Sequence, residues 1–121
     1  MHYTAFQCAP NYITLQCPFQ SSIYVTSAYS GQYRHECTQE DQLQCCPPNL
    51  VKDCMESMED NEPVDWAALK VSCDNQSTCS FETRFATMSS CTEPYRANWT
   101  LVYYQCLPGW NKYYSEPLCC S

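Results

Sequence analysis

The side chains with the widest chemical scope are the cysteines, twelve of them in 121 residues. They could serve as nucleophiles, metal ligands or disulfides. Structural zinc sites want ligands paired about two to four residues apart, and no C-x-x-C is present. Cys45-Cys46 and Cys119-Cys120 are vicinal instead, and Cys73 and Cys79 enclose residues 74–78. Adjacent cysteines seldom bond each other because the small ring is strained, so each pair is expected to send bridges in two directions. An even count leaves no thiol over, and disulfides persist only in an oxidising compartment. The reading is a disulfide scaffold, secreted or on a cell-surface ectodomain. Two glycosylation triplets agree with it, Asn75-Gln76-Ser77 and Asn98-Trp99-Thr100.

Catalytic chemistry has little to stand on. The histidines are His2, read as part of a frayed terminus, and His35, between Arg34 and Glu36. There is no G-x-S-x-G, H-E-x-x-H or glycine-rich phosphate loop. Residues 36–65 hold nine acids against the single base Lys52, so the remainder of the chain carries about +1 of a net −7. Their spacing matches no EF-hand loop. No enzyme activity, metal or cofactor is expected. Six basic residues are too few for a phosphate-binding patch, which excludes nucleic acid. No apolar run reaches membrane-spanning length, so no membrane insertion is expected. The start, MHYTAFQCAP, lacks signal-peptide character and is read as the beginning of a mature fragment of a larger extracellular protein.

Recognition is better supplied. Tyr and Trp bury much area at small entropic cost. Tyr29, Tyr33, Trp99, Trp110, Tyr113 and Tyr114 are the aromatic contact candidates, with half of the aromatic supply assigned to the core. The acidic loop 53–62 is a candidate for steering a basic partner through Glu56, Glu59 and Asp60. Met55 and Met58 give it a soft apolar edge.

The elements that must position these groups are short. Residues 8–17 read as a short strand, with Tyr12, Ile13 and Leu15 between the two cysteines. Residues 22–29 read as a second, with Ile23, Val25 and Ser27 on one face and Tyr24 and Thr26 on the other. Ser30-Gly31 reads as a turn, and Cys45-Cys46-Pro47-Pro48 breaks any regular element. Residues 63–73 read as the one helix, with Pro63 in its first turn and Trp66, Leu69 and Cys73 at helical spacing. Residues 79–87 alternate as a half-buried strand, and 98–106 form a strong one. The fold class is α+β: about four to five antiparallel strands, one helix near 64–73 and long loops. The tail 107–121 needs Cys119 and Cys120 to pin it.

The order of these pieces resembles the galactose/rhamnose-binding lectin domain of the sea-urchin-egg-lectin type, found in fish-egg lectins and latrophilin-type adhesion receptors. The resemblance runs over residues 8–106. It rests on Cys8 and Cys17, on Ile23-Tyr24-Val25-Thr26-Ser27-Ala28, on Cys37, and on Cys45 or Cys46. The helix into Cys73-Asp74-Asn75-Gln76-Ser77-Thr78-Cys79 follows, then Cys91 and Trp99-Thr100-Leu101-Val102-Tyr103-Tyr104-Gln105-Cys106. It implies the pairs Cys8–Cys37, Cys17–Cys106, Cys45 or Cys46 with Cys91, and Cys73–Cys79. One of Cys45 and Cys46 is then left with Cys54, Cys119 and Cys120, to fasten an inserted loop at about 46–62 and the tail. The family's sugar contacts fall on Thr26, Ser30-Gly31-Gln32, Ser89-Ser90 and Asn98-Trp99-Thr100, where only Gly31 keeps the family residue. The expected function is therefore an extracellular recognition module without catalysis. Its partner would be a protein receptor or a cell-surface glycan bound through a non-standard surface. The rivals are a soluble galactose/rhamnose lectin and a secreted toxin or inhibitor.

Overall fold

A computed structural model describes residues 2–37, 45–91 and 95–108. Cys119, Cys120, Trp110, Tyr113 and Tyr114 lie outside these residues. The chain is a small disulfide-rich domain built mostly of antiparallel strands. The elements are β1 (His2–Cys8), β2 (Tyr12–Gln16), β3 (Ser21–Gln32), β4 (Cys54–Ser57), α1 (Met58–Asn61), α2 (Pro63–Cys73), β5 (Thr78–Glu82) and β6 (Trp99–Pro108). One sheet has the order β1-β6-β3-β4, and β2 pairs with β5 in a second.

The strands follow alternation. In β2, Ile13 and Leu15 are buried while Tyr12, Thr14 and Gln16 face out. In β3, Ile23 and Val25 point inward, but the register slips between Val25 and Ser27. The extra residue re-phases the strand, so Ala28, not Ser27, enters the core. Nor does the chain turn at Ser30-Gly31: β3 continues to Gln32, because Ser30, Gly31 and Gln32 still pair with β4. The core gathers Ile13, Leu15, Ile23, Val25, Leu69, Val102 and Tyr104. A second cluster joins Ala86, Met88, Cys91 and Ala97 to Cys54.

Helix α2 spans the residues the sequence predicts. Its inner face presents Leu69 and Cys73, with Trp66 packed alongside. Lys70 ties it down: Nζ donates to the Val25 carbonyl at 2.9 Å, pairs with Asp74 at 2.8 Å and sits 4.2 Å from the Tyr24 ring centroid. Three other readings are corrected. The N-terminus is not frayed, since His2–Cys8 pairs with β6 along its whole length and Tyr3 stacks on Tyr104. The acidic segment is not all loop, because it contains β4 and the short helix α1. The strand read over 79–87 is Thr78–Glu82; beyond it Thr83 is buried and its hydroxyl donates to the Asn11 carbonyl, while Phe85 turns outward.

The ten described cysteines form five bridges: Cys8–Cys45, Cys17–Cys106, Cys37–Cys46, Cys54–Cys91 and Cys73–Cys79. Cys17–Cys106 and Cys73–Cys79 are as the lectin resemblance implies. Cys8–Cys37 and the pairing of Cys45 or Cys46 with Cys91 are not formed. Strand β4 is the cause. It places Cys54 opposite Gln32, and the 88–91 turn docks on β4 when Glu56 accepts hydrogen bonds from the Ser90 amide and hydroxyl. Cys91 then meets Cys54, which leaves Cys45 for Cys8 and Cys46 for Cys37. Cys45 and Cys46 do send their bridges in two directions. This chemistry belongs to a secreted or extracellular domain.

Candidate functional site

Several of the residues singled out from sequence are packed into the fold. Trp99 is fully buried. Its indole lies over Gly31, where a Cβ would fall 1.8 Å from the ring, so Gly31 is there for close approach. Tyr33 is half-buried; its amide donates to Asn98 Oδ1 at 2.9 Å and its hydroxyl to the Cys46 carbonyl. Tyr29 is half-buried and meets Tyr103 edge-on, ring centroids 5.9 Å apart. Glu56 is buried and held by Ser90, so it cannot steer a partner from solvent. Glu59 and Asp60 are exposed on α1. Of the glycosylation candidates, Asn75 is exposed in the turn after α2 and Asn98 is half-buried against Tyr33.

The family's sugar-contact positions divide. Gly31, Ser90 and Asn98–Thr100 come together at the β3–β4–β6 end of the sheet. Thr26 lies upstream at the bulge, with its hydroxyl on the Tyr103 carbonyl. The space beside Gly31 is filled by the Trp99 indole.

A trio of metal-type side chains, His35, Cys37 and Cys46, has its ligand atoms within 4.8 Å of one another. Two of them are a disulfide, so the trio offers no thiolate. His35 Nδ1 lies 2.6 Å from Asp53 Oδ1 and donates to it, since an ionised carboxylate only accepts. Burial pushes the Asp53 carboxyl up, but the amides of Arg34 and Asn49 together with His35 outweigh it and hold the group below its ordinary value.

The concave feature that sequence reasoning missed lies where α1 hands over to α2. A cavity of about 240 Å³ is lined by Glu62, Val64, Asp65, Arg84 and Thr87, among others. Glu62 stands at the N-cap of α2 without capping it by its side chain. Its Oε2 is buried and has no hydrogen-bond partner. Burial pushes its pKa up; the Ser30 hydroxyl and Arg84 act the other way, and Asp65 reinforces the rise. Arg84 Nε donates to Asp65 Oδ2 at 2.7 Å, with the Arg84 side chain 69% exposed and Asp65 17%. The cavity thus has two carboxylate residues and one exposed cation in its lining, while the unmet Glu62 oxygen is itself closed to solvent. The signal in sequence was slight: Glu62 and Asp65 one helical turn apart, with Arg84 distant in the chain.

The outer face of α2 continues from this cavity. Val64 and Val71 are 81% and 82% exposed, and Ala67 and Ala68 between them are also exposed. Positions 64, 67, 68 and 71 share one helix face, opposite Trp66, Leu69 and Cys73. The helix is therefore apolar on both sides.

No family model matches the chain. Protein eva-1 homolog C of Mus musculus is 28% identical over 108 residues, which is 89% of this chain and 23% of that protein. The chain thus spans about a quarter of the length of the curated relative it matches.

Proposed function

We infer that the domain is an extracellular recognition module that binds a protein partner through the outer face of α2 and the adjoining Glu62 cavity. The observation that carries this is the exposed apolar stripe Val64, Ala67, Ala68 and Val71, adjoining a cavity lined by Glu62, Asp65 and Arg84. A helix that merely caps a sheet turns polar residues to water. A contiguous apolar stripe beside polar groups marks a contact surface. The partner fits by chemistry: an apolar patch to cover the two valines, with a lysine or arginine reaching Glu62 and Asp65. Exposed Glu59 and Asp60 and the net charge of −7 favour a basic partner too. The mode is binding without catalysis.

The lectin-type kinship remains our reading of the framework. It is supported by Cys17–Cys106, by Cys73–Cys79 and by α2 running into that short loop. A galactose or rhamnose pocket of the family's kind is disfavoured by the indole over Gly31 and by the substitution of the other contact positions.

The test is staining of cells by the tetramerised domain. Binding should survive excess galactose and rhamnose and enzymatic removal of glycans, and fall at least about tenfold in a Val64→Asp/Val71→Lys variant. Competition by either sugar, with the helix variant still binding, would overturn the reading in favour of a lectin.

A further inference from the structure

The five described bridges are not chemically equivalent. The Cys37–Cys46 bridge alone has an imidazole against a sulfur: His35 Nε2 is 3.5 Å from Cys46 Sγ. The other histidine, His2, lies beside Gln105 on the edge of the sheet. The His35 ring is fixed from behind. Asp53, whose side chain is fully buried, accepts from Nδ1 and from the amides of Arg34, His35 and Asn49 at 2.9, 3.3 and 2.9 Å. Nδ1 is thereby committed to the carboxylate, and Nε2 is the nitrogen presented to sulfur. The two sulfurs also differ in access, since Cys46 is buried while Cys37 is half-exposed.

We propose that Cys37–Cys46 is a thiol-exchange site, attacked at Cys37 by a small-molecule thiol, with Cys46 as the leaving sulfur received by His35. The attacking thiolate forms a bond to Cys37 Sγ as the Cys37–Cys46 bond breaks. The electron pair goes to Cys46 Sγ. The proton shed by the incoming thiol is returned through solvent and His35 Nε2 to Cys46. One thiol and one disulfide give one mixed disulfide on Cys37 and one thiol at Cys46; a second thiol releases Cys37 and leaves as the small-molecule disulfide. Exchange is faster when the departing sulfur is better stabilised as thiolate, and the imidazole does so while it carries the relayed proton at Nε2, with Nδ1 held by the Asp53 carboxylate. Cys17–Cys106, Cys54–Cys91 and Cys73–Cys79 lack such a group.

The experiment treats the intact native protein with reduced glutathione, quenches with an alkylating reagent at intervals and maps the peptides by mass. Label should reach Cys37 and Cys46 about tenfold sooner than Cys17, Cys106, Cys73 or Cys79. The first glutathione adduct should be on Cys37. His35→Gln should slow this bridge about tenfold and leave the others unchanged; Asp53→Asn should act in the same direction. Opening of Cys37–Cys46 no earlier than Cys17–Cys106 overturns the proposal on wild-type protein alone. An adduct first on Cys46, or an unchanged rate in a folded His35→Gln protein, overturns the assigned roles.

Discussion

At the scale of single residues, the chemistry is set by what lies against each side chain. Gly31 illustrates this most directly. Its φ is not in the left-handed region, so a side chain is barred by space alone. Gly31→Ala drives a methyl into the Trp99 indole, 1.8 Å from Cζ2, inside a fully packed layer. Overpacking of that kind costs about 3 kcal/mol or more, read as a lower urea midpoint with unchanged slope. Glu62 behaves in the opposite sense. Its raised pKa means the folded state holds the proton more tightly than the unfolded chain. Stability from this group is complete below its ordinary value and is lost as pH rises through the folded value. Glu62→Gln removes the buried charge, so its melting temperature should exceed that of wild type by about 2 °C at pH 7. The gap should close near pH 4. A gap that widened in acid would mean that Glu62 is held as a favourable anion. None of this was legible from sequence, because Glu62 looks like one acid among nine until the backbone sinks it beside Ser30 and Asp65.

Elements were legible where their own periodicity decided them. Helix α2 was, since proline starts it and Trp66, Leu69 and Cys73 fall on one face. The strands β2 and β6 were, because Ile13 and Leu15 alternate with outward residues in the first and the second has an unbroken apolar run over Leu101–Tyr104. What escaped were segments that exist only through partners. Strand β4 is four residues long and carries no alternation of its own; the edge of β3 creates it. Strand β1 has alternation in Tyr3 and Ala5, but without β6 beneath it a terminus of this length would not hold. The bulge in β3 moved one inward position, and the miss at β4 carried two disulfides with it. The candidate site was hidden for the same reason. On the outer face of α2 the alanines count as helix formers in sequence, and with the valines they become a surface only once the inner face is assigned. Two predictions belong here. Lys70→Met keeps the stem over Tyr24 but removes the bond to the Val25 carbonyl and the pair with Asp74. It should cost about 1–2 kcal/mol in denaturant unfolding. Reversing Glu59 and Asp60 on α1 should slow association with the partner while leaving dissociation nearly unchanged, with the difference fading in high salt. An on-rate indifferent to both charge and salt would remove α1 from the encounter.

At the scale of the whole molecule, a modest core is held by bridges that differ in what they restrain. Cys73–Cys79 closes a separation of six residues, and Cys17–Cys106 one of 89. The long figure overstates its ring. With Cys8–Cys45 and Cys54–Cys91 intact, the shortest path from Cys17 to Cys106 runs through both bridges and covers about 35 residues. Loop-closure entropy then gives about 4 kcal/mol for Cys17–Cys106 and about 2 kcal/mol for Cys73–Cys79. The first also joins the end of β2 to β6, and so ties the two-stranded sheet to the four-stranded one. Paired substitution of Cys17 and Cys106 by serine should therefore cost roughly twice what the same change costs at Cys73 and Cys79, and should loosen β2 and β5 together. Hydrogen exchange reads that as lost protection across the Tyr12–Glu82 to Gln16–Thr78 ladder, with β3 and β6 still protected. Equal costs for the two pairs, or a loss spread evenly over both sheets, would mean that packing between the sheets, and not the long bridge, holds them in place.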